Sequence, residues 1–174
     1  MEFTELIKER RSIRKYCAPA AHEDIVEILK QAQMSPTWKN LQAYKSYVVD
    51  SEKLEDFRAK ALPVFNANSS ANAVLIVSTY IRDLVSFENG QPINELGNGW
   101  AAYDAGLHDA YLILAAKNAG YDTLIMGIRN ADAIRAELSI PDTEEIVSVI
   151  ALGKRDQEPA FRPRKELEEV AKFF

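Results

Sequence analysis

Apolar positions recur along the chain with two alternating periods. Phe3, Leu6 and Ile7 predict a short amphipathic helix that ends near Arg10. From His22 to Met34, Ile25, Ile28, Leu29 and Ala32 mark one helical stripe. Glu23 and Asp24 fall in its first turn, where the helix dipole favours acids. Tyr44 to Asp50 predicts a strand, and Ser51 to Leu62 a helix capped by Asp50 or Ser51. Ala73 to Tyr80 is a continuous apolar run, which predicts a central strand covered on both faces. Trp100 to Asn118 is the longest helix, with Gly120 where a C-terminal glycine cap belongs and with Leu107, Tyr111, Leu114 and Ala115 on one face. Asp122 to Met126 predicts a short strand. Asn130 caps a helix through Leu138, with Ile134 inward, and Glu145 to Leu152 is the last strand. Leu167 to Phe174 is helical or extended, with an apolar end.

The stretches between these elements are polar. Tyr16 to Pro19 is expected as loop, because Pro19 disfavours helix before it. Ser35 to Gln42 breaks a helix, and Phe65 to Asn72 is loop by composition. Asp83 to Asn98 is the least regular part, and Gly153 to Lys165 is a polar loop. No repeat or linker divides the chain, so one domain over 1–174 is expected. Helices alternate with strands, which predicts an α/β or α+β domain with helices on both faces.

Composition narrows the class. The chain has 174 residues, 47% of them apolar and 27% charged, as in an ordinary globular protein. Its net charge of −5 argues against a general nucleic-acid binder, yet leaves room for a local basic patch. The single cysteine, Cys17, rules out an intrachain disulfide and a cysteine metal cluster. Together with the lack of a signal peptide, it points to a reducing, cytoplasmic compartment. No apolar run approaches the roughly 20 residues that span a bilayer.

The candidate chemistry begins at Arg10-Arg11-Ser12-Ile13-Arg14, which runs against the acidic bulk. Arginine matches phosphate well, because its planar fork donates two parallel hydrogen bonds and stays charged. In an extended loop Arg10, Ser12 and Arg14 would point one way, and Arg11 and Ile13 the other. The competing reading is a solvated basic helix end. A second cluster, Lys154-Arg155 and Arg162-Pro163-Arg164-Lys165, lies at the far end, where Lys154, Arg155 and Lys165 fit a solvated tail. Two arginine clusters can converge on one phosphate in the fold.

Other motifs carry less. Gly97-x-Gly99-x-x-Ala102 opens a helix but lacks the strand that a dinucleotide fingerprint requires before it. His22 and His108 have no ligand-like partners, and His108 four residues after Asp104 is expected as a local helix pair. Cys17 is expected as a small packed hydrophobe. Phosphate binders, amides and aromatics without an acid–base pair or metal site fit chemistry carried by a phosphorylated cofactor.

At this point the chain resembles the nitroreductase family of FMN-dependent oxidoreductases. Arg10 to Tyr16 is similar to the family's opening motif, and Ser35 to Gln42 to its Pro-Ser-x-x-Asn-x-Gln loop. Asn66 stands where the family has a flavin-contacting Asn. Tyr103-Asp104-Ala105-Gly106-Leu107 resembles the start of the long core helix, and Met126-Gly127 the turn whose backbone faces the flavin. Arg162-Pro163-Arg164 with Leu167-Glu168-Glu169-Val170 resembles the C-terminal Lys-x-Arg segment.

The resemblance implies an α+β three-layer fold with a central, mostly antiparallel sheet. It also implies a homodimer that carries FMN at its interface. Arg10, Arg11, Ser12, Arg162 and Arg164 would bind the cofactor around its phosphate, and Arg14 would reach the N1–C2 edge. Pro36, Thr37, Trp38 and Asn40 would come from the partner. Asn66 would meet the pyrimidine edge, and the backbone at Met126 and Gly127 would face N5. The implied activity is ping-pong hydride transfer from NADH or NADPH to a small acceptor such as a nitroaromatic or quinone, with no metal, nucleic acid or membrane involved. A flavin-sequestering protein without turnover and a phosphate-ligand module are the alternatives. The chain departs from the family pattern at Trp38, usually small, at Ala43-Tyr44, commonly Pro-Trp, and at Ser69, a Lys in some members. Its Ile81–Gly99 segment, where larger members build a lid, is short.

Overall fold

The computed structural model describes residues 2–174. Its longest strand organises the rest. β7 (Glu144–Arg155) is apolar and mostly buried, and it pairs with three other strands. It runs antiparallel to β3 (Val74–Ile81), to β6 (Asp122–Met126) and, at its end, to β1 (Tyr16–Pro19). β2 (Tyr44–Val49) pairs with the free side of β3, giving the order β1-β7-β3-β2 with β6 also on β7. Among the described residues every paired strand is antiparallel, and the one parallel contact is an isolated bridge between Ser12 and Thr123. Between Ser78 and Thr79 the register with β7 slips by one residue, so Val147 bulges out of the ladder.

Alternation along β3 sends residues to two layers. Leu75 and Val77 pack towards α3 (Leu54–Ala61) and α6 (Ala131–Leu138), through Phe57, Ala61 and Ile134. Val74 and Ile76 pack towards α2 (His22–Ala32) and α5 (Gly99–Asn118), through Ile25, Ile28, Leu112 and Ala116. The sheet therefore lies between two helical layers, an α+β arrangement. α1 (Phe3–Glu9) rests on α5, and α4 (Val64–Ser69) precedes β3.

Several boundaries differ from the sequence expectation. Tyr16 to Pro19 is a strand, because Gly153 lets another backbone approach closely. A Cβ at Gly153 would lie 2.6 Å from Ala18 O and 3.1 Å from the Tyr16 ring. Phe65 to Asn72 contains the helix α4 rather than only loop, and β7 continues through Gly153 to Arg155 where polar loop was expected. α3 starts at Leu54, with neither Asp50 nor Ser51 as its cap. The expected caps hold elsewhere. The Asn130 side chain accepts from Ala133 N at 3.1 Å, and Gly120 takes a left-handed φ of 83° after α5. The Leu107–Tyr111–Leu114–Ala115 face of α5 is not its sheet side, since Tyr111 is exposed while Leu112 and Ala116 are buried.

Candidate cofactor site

The site is built outward from Ile13. Its side chain is fully buried, and its N–H donates to Thr123 O at 3.0 Å. Tyr16 Oη donates to Ile13 O at 3.0 Å. Burying an isoleucine is worth about 1.5–3 kcal/mol, enough to pin its polar neighbours at the surface. The pairing of β1 with β7 then brings in the other end of the chain. Tyr16 lies opposite Arg155, Asp156 N donates to Lys15 O at 2.9 Å, and Lys15 pairs with Asp156 at 2.8 Å. Beyond that tie, residues 159–164 run alongside residues 10–14.

The result is a cavity of about 330 Å³. Arg10, Arg11, Ser12 and Arg14 line it from one end of the chain, and Phe161, Arg162 and Arg164 from the other. The two arginine clusters thus converge. Arg11 faces the cavity rather than following Ile13 inward, because the chain turns there: its Nη1 donates to Arg10 O at 2.9 Å and also to Lys8 O. Phe161 sits between cations, with Arg11 Cζ 4.9 Å and Arg164 Cζ 5.9 Å from its ring centroid. The sequence reading missed Phe161; its place between two arginine-bearing segments was the available signal.

The ion pairs that arginines make in this chain involve Arg58, Arg82, Arg135 and Arg155. Among the described residues none of the five cavity arginines is paired with a carboxylate. Burial lowers the proton affinity of Arg10, as do the charges of Arg164 and Arg11, and Asp122 opposes them. Cations gathered without a paired carboxylate repel one another, and a bound anion offsets that cost. The cavity's donor set therefore suits a phosphate.

A second patch lies across α4 and the end of β6. Asn66, largely buried, donates from Nδ2 to Ile128 O at 2.8 Å. Arg129, not singled out by the sequence, braces the same turn by donating from Nη1 to Gly127 O at 2.7 Å. A Cβ at Gly127 would meet nothing within 4 Å, so this backbone faces open space. The Met126 side chain is in the core and offers the surface only its backbone.

Pro36, Thr37, Trp38 and Asn40 line no part of the arginine cavity. Their loop is unusual: Lys39, Asn40 and Gln42 have φ of 49°, 56° and 49°. Thr37 Oγ1 accepts from Gln42 N at 3.2 Å, and Trp38 N donates to Asp104 Oδ2 at 2.9 Å.

The other candidates fall elsewhere. Cys17 is exposed, not packed, because the β1 alternation turns Tyr16 inward and Cys17 outward. His108 is buried, stacks on Tyr44 at 3.9 Å and has Nδ1 3.4 Å from Asp109 Oδ1. It does not pair with Asp104, which is turned to Trp38. His22 pairs with Asp50 at 2.7 Å on the surface. Gly97 has a φ of 48° in the turn before α5, and the hairpin of β4 (Phe87–Glu88) and β5 (Gln91–Pro92) precedes it, not a strand leading into the helix. Arg155 is taken by Asp122 at 3.8 Å and Glu158 at 2.7 Å. Among the described residues no three His, Cys, Asp or Glu side chains cluster as metal ligands, and no helix is long and apolar enough to cross a membrane.

Comparison with known proteins gives a consistent result. The family model described as Nitroreductase family matches residues 7–154. The chain is 27% identical to MhqN of Bacillus subtilis, named as an NAD(P)H nitroreductase, over 99% of this chain and 97% of that protein. It is 29% identical to an NADPH-dependent oxidoreductase of Staphylococcus aureus, over 95% of this chain and 70% of that one. A nitroreductase of Exiguobacterium sibiricum, solved in complex with FMN, superposes with a TM-score of 0.86 at 22% identity, over 100% of this chain and 98% of that one.

Proposed function

The chain belongs to the nitroreductase family, and from that premise we propose that it is an FMN-dependent oxidoreductase. It moves a hydride from NADH or NADPH to a small acceptor, of nitroaromatic or quinone type, in two half-reactions at one site. The observation that carries the reading is the converged arginine cavity without carboxylate partners, which fits a terminal phosphate. The cofactor supplies the hydride-carrying ring; the chain supplies position and charge.

Arg10, Ser12, Arg162 and Arg164 hold the phosphate, with Arg11 steadying the wall through Phe161. Arg14 extends towards the ring's electron-accepting edge as a fixed cation. Asn66 uses one Nδ2 hydrogen on Ile128 O, which fixes the amide and leaves Oδ1 free to accept from a ligand N–H. The turn at Gly127 is open enough for a planar group to lie against its backbone.

The first test is the purified protein itself. It is expected to carry non-covalent FMN, yellow and released on denaturation, and to oxidise NADH or NADPH when an acceptor is added. Colourless protein that fails to take up added FMN would sink the reading. Bound FMN without NAD(P)H oxidation would favour a sequestering role.

The same reading makes the protein a cytoplasmic homodimer. The Pro36–Asn40 loop lies away from its own chain's arginine cavity, as a loop serving the partner's site does. Leu167, Val170, Phe173 and Phe174 are exposed at the end of the chain. An apolar groove of about 390 Å³ runs along α1 and α5 between Phe3, Leu6, Tyr111 and Leu114. Exposed apolar surface of this kind marks an interface. Sedimentation at micromolar concentration is expected to give a dimer that keeps its flavin, and a stable flavin-loaded monomer would contradict it.

A further inference from the structure

Asp104 is only 2% exposed and lies one turn beyond Trp100 in α5. Among the described residues no cation pairs with its carboxylate. Its hydrogen bond comes from Trp38 N, at 2.9 Å. Burial raises its proton affinity, and the Trp38 N–H offsets part of that. An asparagine of the same shape would accept the same bond without burying a charge. A buried carboxylate without a cation partner costs more than the matching amide would, and what it holds in return is one backbone N–H.

What Asp104 holds is a strained loop. Lys39, Asn40 and Gln42 all occupy the left-handed region that non-glycine residues avoid. Inside the loop Gln42 N donates to Thr37 Oγ1 at 3.2 Å, and Gln42 Nε2 to Asn40 Oδ1 at 3.1 Å. From outside, Asp104 fixes the backbone at Trp38. The Trp38 ring then rests 5.0 Å from Trp100 at 54°, and Trp100 meets Tyr103 edge-on at 5.6 Å.

We propose that Asp104 is a positioning residue: by accepting the Trp38 N–H it locks Trp38 against Trp100 and sets the loop surface presented to the partner's flavin. This rests on the FMN-dimer reading above. A hydrogen bond to a charged acceptor is roughly twice as strong as a neutral one, so loop order falls in steps from Asp to Asn to Ala at 104.

The chain has two tryptophans, so a Trp100→Phe background, which keeps a ring for Trp38 to rest on, leaves Trp38 as the only tryptophan emitter. FMN affinity and midpoint are also read with Trp100 in place, so that the loss of the Trp38–Trp100 contact is separated from the change at 104. Three quantities are measured with Asp, Asn and Ala at 104: Trp38 fluorescence anisotropy in the flavin-free protein, the thermal midpoint at pH 7, and the dissociation constant for FMN. Asp104→Asn is expected to raise the midpoint, loosen Trp38 and weaken FMN binding about five-fold, and Asp104→Ala to weaken it about thirty-fold. A structural Asp104 would instead move midpoint and affinity down together, and that result overturns the proposal. So does wild-type anisotropy and FMN affinity in both variants. If Asp104→Ala does not fold, Asp104→Asn decides alone. If no version binds FMN, the cofactor reading fails, while the anisotropy still decides whether Asp104 orders the loop.

Discussion

Arg164→Ala is expected to weaken FMN binding about ten- to a hundred-fold while leaving the saturated protein's hydride chemistry unchanged. A hydrogen bond from a charged donor is worth about 1.5–3 kcal/mol, and about 1.4 kcal/mol is tenfold in affinity. Arg164 is exposed and holds its position through a bond from Nη1 to Arg162 O at 2.9 Å and through Phe161. Exposure adds salt screening, so the effect should shrink towards the low end as ionic strength rises. The flavin-free protein should respond in the opposite direction. Arg164 is the leading charge that opposes protonation of Arg10, so its removal relieves repulsion and should not lower the apoprotein's thermal midpoint. Fluorescence titration with FMN at two salt concentrations, with apoprotein melts beside it, checks both halves. Unchanged FMN affinity would return Arg162 to Lys165 to the status of a solvated tail.

That cluster was legible in the sequence because charge is a local property. Five arginines against an acidic background stand out wherever the fold puts them. The strands of β3 and β7 were legible for a similar reason, since a continuous apolar run has few places to go other than a covered sheet. β1 was hidden because its pairing is set at the far end of the chain, where Gly153 admits the Ala18 backbone. Pro19 speaks locally against helix and says nothing of a partner strand. α4 was hidden because Asn and Ser in Phe65–Asn72 favour turns in isolation. Here Asn66 is spent on Ile128 O, a contact that exists only in the packed chain, and Ser70 bonds back one turn to Asn66 O instead of opening a turn. Cys17 followed from the same miss: without β1 there is no alternation to turn it outward.

The site divides along the same line. Arg10, Ser12, Arg162 and Arg164 were singled out by residue type, and their convergence on one cavity is delivered by β1 and β7. Phe161, Arg129 and Asp104 make contacts that residue type does not announce. An aspartate on a long helix has an obvious partner four residues on, in His108. The real one is the Trp38 amide, 66 residues back. Trp38 itself was legible as a departure from the family pattern. Its packing on Trp100 explains how a large ring is housed there without reaching the arginine cavity of its own chain.

Arg14 separates a catalyst from a container, and its replacement is expected to shift the flavin's reduction potential more than its affinity. Arg14 lines the cavity beyond Ser12, exposed, and its intramolecular hydrogen bond is a long one, Nη1 to Ser12 O at 3.4 Å. That single long bond holds Arg14 weakly and leaves its guanidinium able to follow a ligand. Reduction adds negative charge to the flavin, and a cation beside the ring favours the reduced form over the neutral oxidised one. Arg14→Met keeps most of the length and apolar bulk and removes only the charge. For a two-electron couple about 30 mV corresponds to about 1.4 kcal/mol, and a partly desolvated cation can supply that or twice it. The expected outcome is a potential lowered by about 30–60 mV, slower reduction by NAD(P)H and a modest loss of FMN affinity. Redox titration of both proteins at saturating FMN makes the measurement. If affinity collapses while the potential stays fixed, Arg14 is one more phosphate clamp. The charge beside the ring must then come from another group, since Arg129 is already committed to Gly127 O and Ile146 O.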